Sequence, residues 1–122
     1  MLFDADLRGI VAFHRNNRAL ATIGLMTVDD PSSRGFVSVK DGKIVEFAQK
    51  SGSPTSNMVN AGLYVFEPGI FRFVPDGSSM LENDVFPKIA AKGLLFGFPL
   101  VGLCLDIGTP ERYEKARKEW PY

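Results

Sequence analysis

Apolar residues recur at helical spacing near the start of the chain and then give way to an unbroken apolar stretch. The helical set consists of Leu7, Ile10, Val11 and His14. Asp4 is placed to cap this helix, which we expect to run to about Asn17. The stretch 19–28 is apolar and β-branched, so it predicts a buried strand.

Two short alternating runs, 36–39 and 44–47, flank the dipeptide Asp41-Gly42. Asp-Gly between such runs is among the strongest short-range signals for a two-residue hairpin turn. We therefore expect a β-hairpin there, followed by a polar, Gly/Pro/Ser-rich loop over 49–57.

The second half of the chain alternates strands with short helices. We expect a strand over 58–66, a helical turn over 68–73, a helix from 79–82 towards Ala91, and a final helix ending near Lys118. The spacing from Ser79 to Glu82 is that of a capping box, which makes Ser79 a cap rather than a nucleophile. Gly93 is placed to end that helix ahead of apolar residues 94–98. The order of elements predicts one α/β domain over 1–122, a mixed sheet with flanking helices.

Composition excludes several classes of protein. Fourteen basic and fourteen acidic residues cancel, so nucleic acid is not an expected partner. No apolar run approaches membrane-spanning length, so we expect no membrane association. Cys104 is the only cysteine, which excludes a disulfide framework and leaves a small buried hydrophobe in a cytoplasmic protein.

The segment 103–113 carries the strongest chemical signal. It predicts a strand that ends at Asp106, a one-glycine turn, and a helix with Thr109 as N-cap and Pro110 in its first turn. A carboxylate at a strand end lies where α/β folds bind ligands, so Asp106 is a candidate metal or substrate group. The alternative is that Asp106 only orders the turn.

Other candidate residues each have a plain structural alternative. Lys50 follows the hairpin and could hold a phosphate, or could be a solvated lysine. Asn60 and Gly62 interrupt a strand, which suits either a sugar-binding amide beside an approachable backbone or a β-bulge. Gly35 could let a ligand approach the backbone, or be an ordinary loop glycine. The sequence contains no Gly-rich phosphate loop.

Taken together, six segments resemble the C-terminal half of the sugar-1-phosphate nucleotidyltransferases, with most similarity to mannose- and heptose-1-phosphate guanylyltransferase-like members. The segments, in chain order, are 6–14, 35–47, 49–50, 60–66, 82–87 and 105–111. They look like the helix after the family's central strand, its Gly-Val-Val hairpin, its Glu-Lys-Pro motif, its Asn-Ala-Gly-Ile-Tyr strand, its Glu-x-Asp-x-x-Pro helix and its Asp-x-Gly-Thr-Pro-Glu end. The resemblance implies a partial Rossmann-like nucleotidyltransferase fold that lacks its N-terminal half.

Members of this family transfer a nucleotidyl group from a nucleoside triphosphate to a sugar 1-phosphate and release pyrophosphate, with Mg²⁺ as cofactor. The resemblance implies that Asp106 is one of two metal-binding aspartates. It also implies that Lys50 pairs with the phosphate of a sugar 1-phosphate. The sugar contacts it implies are Asn60, Gly62, Gly35 and, at the position of the family's glutamate, Gln49. Gln49 changes the charge at that position, and Ser51 replaces the family's proline.

The family's signature loop and first metal aspartate precede the point where this chain begins, so we expect the chain alone to be inactive. It could be a nucleotidyltransferase fragment, one half of a two-chain enzyme, or a non-catalytic binding module. An uncovered sheet edge and ten phenylalanines in 122 residues predict self-association, as a homodimer or with a partner chain that covers the missing half.

Overall fold

The computed structural model describes residues 1–29, 31, 35–48 and 56–122. Their strands are β1 (Leu2–Phe3), β2 (Ala21–Thr27), β3 (Phe36–Lys40), β4 (Lys43–Ala48), β5 (Met58–Phe66), β6 (Leu95–Pro99) and β7 (Cys104–Leu105). The α-helices are α1 (Leu7–Asn16), α2 (Phe86–Ala91) and α3 (Pro110–Glu119). A 3₁₀ helix covers Pro68–Phe73, and a π-helical turn over Leu81–Val85 leads into α2.

Five strands form a mixed sheet in the order β2-β5-β3-β4-β6, which closes on itself. β2 pairs parallel with β6 and antiparallel with β5, so the predicted mixed α/β sheet is confirmed. The closure, which the sequence did not predict, rests on short pairings between β3 and β5 and between β4 and β6. β1 and β7 form a separate antiparallel pair.

The predicted hairpin joins β3 and β4. Lys40 pairs with Lys43 across a two-residue turn in which Asp41 and Gly42 have φ of 52° and 80°. Both central residues are therefore left-handed, as a type I′ turn requires, and Asp-Gly tolerates this conformation.

The core lies between the closed sheet and α2. Phe86 is fully buried and its ring packs against Phe47, Tyr64 and Phe66, at centroid distances of 5.4, 5.4 and 6.2 Å. Ile89, one turn further along α2, is buried as well. Aromatic rings from β4, β5 and α2 thus join the helix to the strands that carry the candidate sugar contacts.

Two predicted caps are wrong. The cap of α1 is Asp6, whose Oδ1 accepts from the Gly9 amide at 2.9 Å, whereas the Asp4 amide pairs with the Leu103 carbonyl. Ser79 does not cap the segment before α2: the N-cap there is Met80, which makes no side-chain cap bond, and its amide donates to the Asp84 carboxylate at 2.7 Å. A π-helical turn replaces the regular helix start that was expected.

The predicted end of α2 is confirmed. Gly93 has φ of 71°, its amide donates to the Ala90 carbonyl, and the Leu94 amide donates to the Ile89 carbonyl. This pair of bonds is the Schellman motif, which glycine favours. Within the described ranges, no helix is long and apolar enough to span a membrane.

His14 has a packing role in the fold. The ring is buried, with Nδ1 at 2.8 Å from Thr22 Oγ1 and Nε2 at 2.8 Å from Glu67 Oε1. The two contacts hold α1 against β2 and against the segment that follows β5. Buried polar atoms need such partners, so His14 is accounted for by the fold.

Candidate functional site

Asp106 follows β7 immediately and lies beside the start of β1. The pairing is antiparallel, with Leu2 opposite Leu105 and Phe3 opposite Cys104. One residue further along, Asp106 comes level with the N-terminal end of β1. Its position at a strand end, before the turn into α3, is the one the sequence predicted.

The carboxylate of Asp106 also orders the turn. Oδ1 accepts from the Gly108 amide at 2.9 Å, and Oδ2 accepts from Arg112 Nη1 at 2.5 Å. Thr109 caps α3 as predicted, since its side chain accepts from the Arg112 amide. Asp106 and Arg112 side chains are 32% and 52% exposed, so this ion pair contributes at most about 1 kcal/mol to stability. Asp106 therefore makes the turn-forming contacts that one of the two interpretations expected, and its side chain is still partly exposed.

Two grooves meet at Asp106. The first, which we call the β2 groove, has a volume of about 420 Å³. Its lining consists of Met26, Thr27, Val28, Leu100, Gly102, Leu103, Cys104 and Asp106. The second, the α3 groove, measures about 220 Å³. It is lined by Cys104, Leu105, Asp106, Arg112, Lys115 and Ala116.

Asp106 is the carboxylate that lines both grooves. Mg²⁺ is usually bound through one or two carboxylates together with substrate phosphates and water. Within the part of the chain that the structure describes, no group of three His, Cys, Asp or Glu residues could hold a metal by itself. Asp106 can thus supply one hard oxygen ligand. The guanidinium of Arg112 donates a hydrogen bond to the same carboxylate.

A second cluster lies at the bulge in β5. On β2, Ile23 pairs with Tyr64 and Leu25 with Asn60, so three residues of β5 lie opposite one residue of β2. This register shift corresponds to the β-bulge that was one of the two interpretations of Asn60 and Gly62. Gly62 within it has φ of 79°, and a Cβ built there would meet no atom within 4 Å. The backbone at Gly62 is therefore open to a ligand, in a conformation that disfavours other residues.

Gly35 lies directly before Phe36, the residue of β3 that pairs with β5. Phe36 pairs with Val59 antiparallel, and continuing that pairing by one residue brings Gly35 level with Asn60. β4 ends at Ala48, which pairs with Phe36. Gln49 and Lys50, the other two predicted sugar-phosphate residues, lie outside the described residues.

The two clusters are joined through the end of β2. Leu25 and Met26 pair with Asn60 and Val59 of β5, and Met26 also lines the groove that contains Asp106. The end of β2 thus pairs with β5 at the bulge and also lines the groove of Asp106. Sequence reasoning missed two contacts of these clusters: Arg112 on Asp106, and the Tyr64 hydroxyl, which accepts from Asn60 Nδ2 at 2.7 Å. The position of Arg112 three residues after the cap Thr109 was the available signal for the first.

Cys104 is only partly buried, so the expectation of a buried side chain is wrong. It offers a probe of this site because it lines both grooves beside Asp106. Burial raises the pKa of the Cys104 thiol. The thiolate is the reactive form, so less of it is present at a given pH than in the unfolded chain. We expect iodoacetamide to alkylate native Cys104 more slowly than urea-unfolded Cys104, with a pH–rate midpoint displaced upward. Identical pH–rate curves in the two states would contradict this.

Comparisons with known proteins point to one family. The family model described as "Nucleotidyl transferase" matches residues 1–121. A mannose-1-phosphate guanylyltransferase of Mycobacterium tuberculosis (strain ATCC 25618 / H37Rv) is 36% identical over 120 residues, which is 95% of this chain and 33% of the relative. A "Probable mannose-1-phosphate guanylyltransferase 3" of Arabidopsis thaliana is 35% identical over 115 residues, 93% of this chain and 35% of the relative.

The fold has a close counterpart among solved structures. A Bacillus anthracis protein assigned as a glucose-1-phosphate thymidylyltransferase, solved with sucrose, superposes with a TM-score of 0.79 at 24% identity. The match covers 96% of this chain and 50% of that one. The chain spans about a third of the length of the curated relatives that it matches.

Proposed function

Because this chain belongs to the nucleotidyl transferase family, we propose that it carries the sugar-phosphate and metal-binding side of a sugar-1-phosphate nucleotidyltransferase site. In that reaction, an oxygen of the sugar phosphate attacks the α-phosphorus of a nucleoside triphosphate, and the bond to pyrophosphate breaks. The observation that best supports the proposal is Asp106 at a strand end between two grooves, one β-strand away from the Asn60–Gly62 bulge.

The proposal assigns a task to each candidate residue. Asp106 would hold Mg²⁺, and Lys50 would pair with the phosphate of the sugar 1-phosphate as a point charge. Mg²⁺, when bound, neutralises negative charge on the phosphates.

The sugar hydroxyls are assigned to the side of the site around the bulge. Asn60 and Gln49 can donate to and accept from hydroxyls. Gly35 and Gly62 keep backbone accessible beside them, and the open space over Gly62 supports this assignment. The base and the triphosphate are assigned to a part of the protein, or a partner chain, outside these 122 residues.

Calorimetric titration tests the proposal without requiring turnover. The ligands are a panel of sugar 1-phosphates that includes mannose 1-phosphate and glucose 1-phosphate, each with and without Mg²⁺. The matching free sugars and inorganic phosphate are the controls. We expect a sugar 1-phosphate to bind better than either of its parts, to bind better with Mg²⁺, and to slow the alkylation of Cys104. Failure of every sugar 1-phosphate to bind would refute the proposal.

The partner is proposed to be a second copy of the chain or a complementary chain. Within the described residues, β1 and β7 pair only with each other, which leaves edge groups of this small sheet available. Phe71 and Val101 are 75% and 87% exposed. We expect sedimentation to report a mass above that of a monomer that increases with concentration. A monomer over a wide concentration range would contradict this.

The single cysteine fits the cytoplasm as the proposed location.

A further inference from the structure

The bulge in β5 brings together two side chains that a regular strand would keep apart. Residues four apart on a strand are separated by about 13 Å, which is far beyond hydrogen-bond distance. Here Asn60 Nδ2 donates to the Tyr64 hydroxyl at 2.7 Å, because Gly62 between them is left-handed and the strand is bulged. The contact is thus a product of the bulge.

The orientation of the Asn60 amide is fixed by what lies at its other end. The Gly62 backbone amide is 2.7 Å from Asn60 Oδ1 and can only donate. The atom facing it must therefore be the side-chain oxygen, which turns the Asn60 nitrogen towards Tyr64. The Tyr64 oxygen must then accept, so the hydroxyl proton is directed elsewhere.

The surroundings of Tyr64 agree with this direction. Burial raises the pKa of Tyr64, and the Glu82 carboxylate raises it further as a nearby charge and as a hydrogen-bond acceptor, against the lowering effect of Asn60. The Glu82 carboxylate is thus a negatively charged neighbour of the Tyr64 hydroxyl. The ring is held by stacking on Phe66 at 5.4 Å and by packing on Phe86 at 5.4 Å, so the hydroxyl has a defined position.

An amide held at both ends still has a second N–H and a second oxygen lone pair, and their directions are set. Fixing a recognition group before the ligand arrives lowers the entropy cost of binding. We propose that Tyr64 is a positioning residue that holds the Asn60 amide in the orientation in which it hydrogen-bonds to a sugar hydroxyl. This inference rests on the function proposed above for Asn60.

Tyr64→Phe is the test variant, because it removes the hydroxyl and keeps the ring that packs on Phe86. Tyr113→Phe, on exposed α3, is the matched control. Losing one hydrogen bond that orders a binding group corresponds to roughly a two- to tenfold effect. We expect the affinity of Tyr64→Phe for the sugar 1-phosphate to fall by about fivefold, while its affinity for inorganic phosphate stays as in the wild type.

A second measurement needs no ligand. The side-chain NH₂ protons of Asn60, followed by ¹⁵N-edited NMR, should be well separated and slow to exchange in the wild type. In Tyr64→Phe, the chemical shifts of the two protons should become more similar, and the protons should exchange with solvent faster. Unchanged Asn60 signals in the variant would refute the positioning role even if sugar 1-phosphates bind. Equal sugar 1-phosphate affinities of variant and wild type would refute it too. Absence of binding to the wild-type protein would instead refute the proposed function on which it rests.

Discussion

Asp106→Asn should abolish most of the benefit that Mg²⁺ brings to sugar 1-phosphate binding. The substitution keeps the shape of the side chain and an oxygen that can accept from the Gly108 amide, but removes the negative charge. A hard divalent cation requires that charge, so we expect the affinity measured with Mg²⁺ to fall on the order of tenfold or more, towards the Mg²⁺-free value. Calorimetric titration with and without Mg²⁺ measures both values.

Two control variants separate the metal role from the turn-forming role. Asp76→Asn removes an exposed carboxylate from another loop and should leave binding unchanged. Arg112→Gln breaks the ion pair with Asp106 but keeps the carboxylate, so Mg²⁺ dependence should persist. If Arg112→Gln lost the Mg²⁺ effect and Asp106→Asn kept it, the carboxylate would be serving the turn and not a metal.

Gly102→Ala should destabilise the protein more than a typical surface substitution does. Gly102 has φ of 122°, and a Cβ there would overlap the Asp4 carbonyl oxygen. Both the backbone conformation and the contact therefore resist a side chain. Strain of about 1–2 kcal/mol and overpacking of about 1–3 kcal/mol together predict a loss of roughly 2–5 kcal/mol in the free energy of unfolding.

Urea unfolding of Gly102→Ala and Gly77→Ala checks this prediction. Gly77 also has a positive φ, of 82°, but a Cβ there meets nothing within 4 Å. Gly77→Ala should thus show the conformational part alone, about 1–2 kcal/mol. Equal losses of stability in the two variants would contradict the close approach of Gly102 to Asp4. That approach holds the segment before β7, and thus Asp106, against the start of β1.

Local chemistry made much of the fold predictable. The Asp41-Gly42 turn and the Gly93 helix end depend on residues within a few positions of each other, and both are as predicted. The cap of α1 could not be predicted in the same way. Asp4 and Asp6 are equally able to cap, and the backbone of Asp4 is engaged by Leu103, almost a hundred positions away. Closure of the sheet likewise depends on distant pairs such as Lys43 with Phe96.

In the candidate site, too, local features were predictable from the sequence and long-range contacts were not. Asp106 was identifiable from a strand, a turn and a cap that are contiguous in sequence. The hydrogen bond between Asn60 and Tyr64 could not be identified from the sequence. A regular strand would keep these residues apart, and the sequence does not give the geometry of the bulge that brings them together. The connection from the bulge through Leu25 and Met26 to the groove of Asp106 depends on the pairing of β2 with β5, which only the folded chain shows.

The most direct test of the account is to map a bound metal ion on the protein. Mn²⁺ in place of Mg²⁺ broadens NMR signals near it, and backbone amide spectra would be recorded with Mn²⁺ and a bound sugar 1-phosphate. We expect the broadening to centre on residues 105–108 and the start of β1, and Asp106→Asn to remove it. Broadening centred elsewhere and unchanged in Asp106→Asn would contradict the assignment of this site.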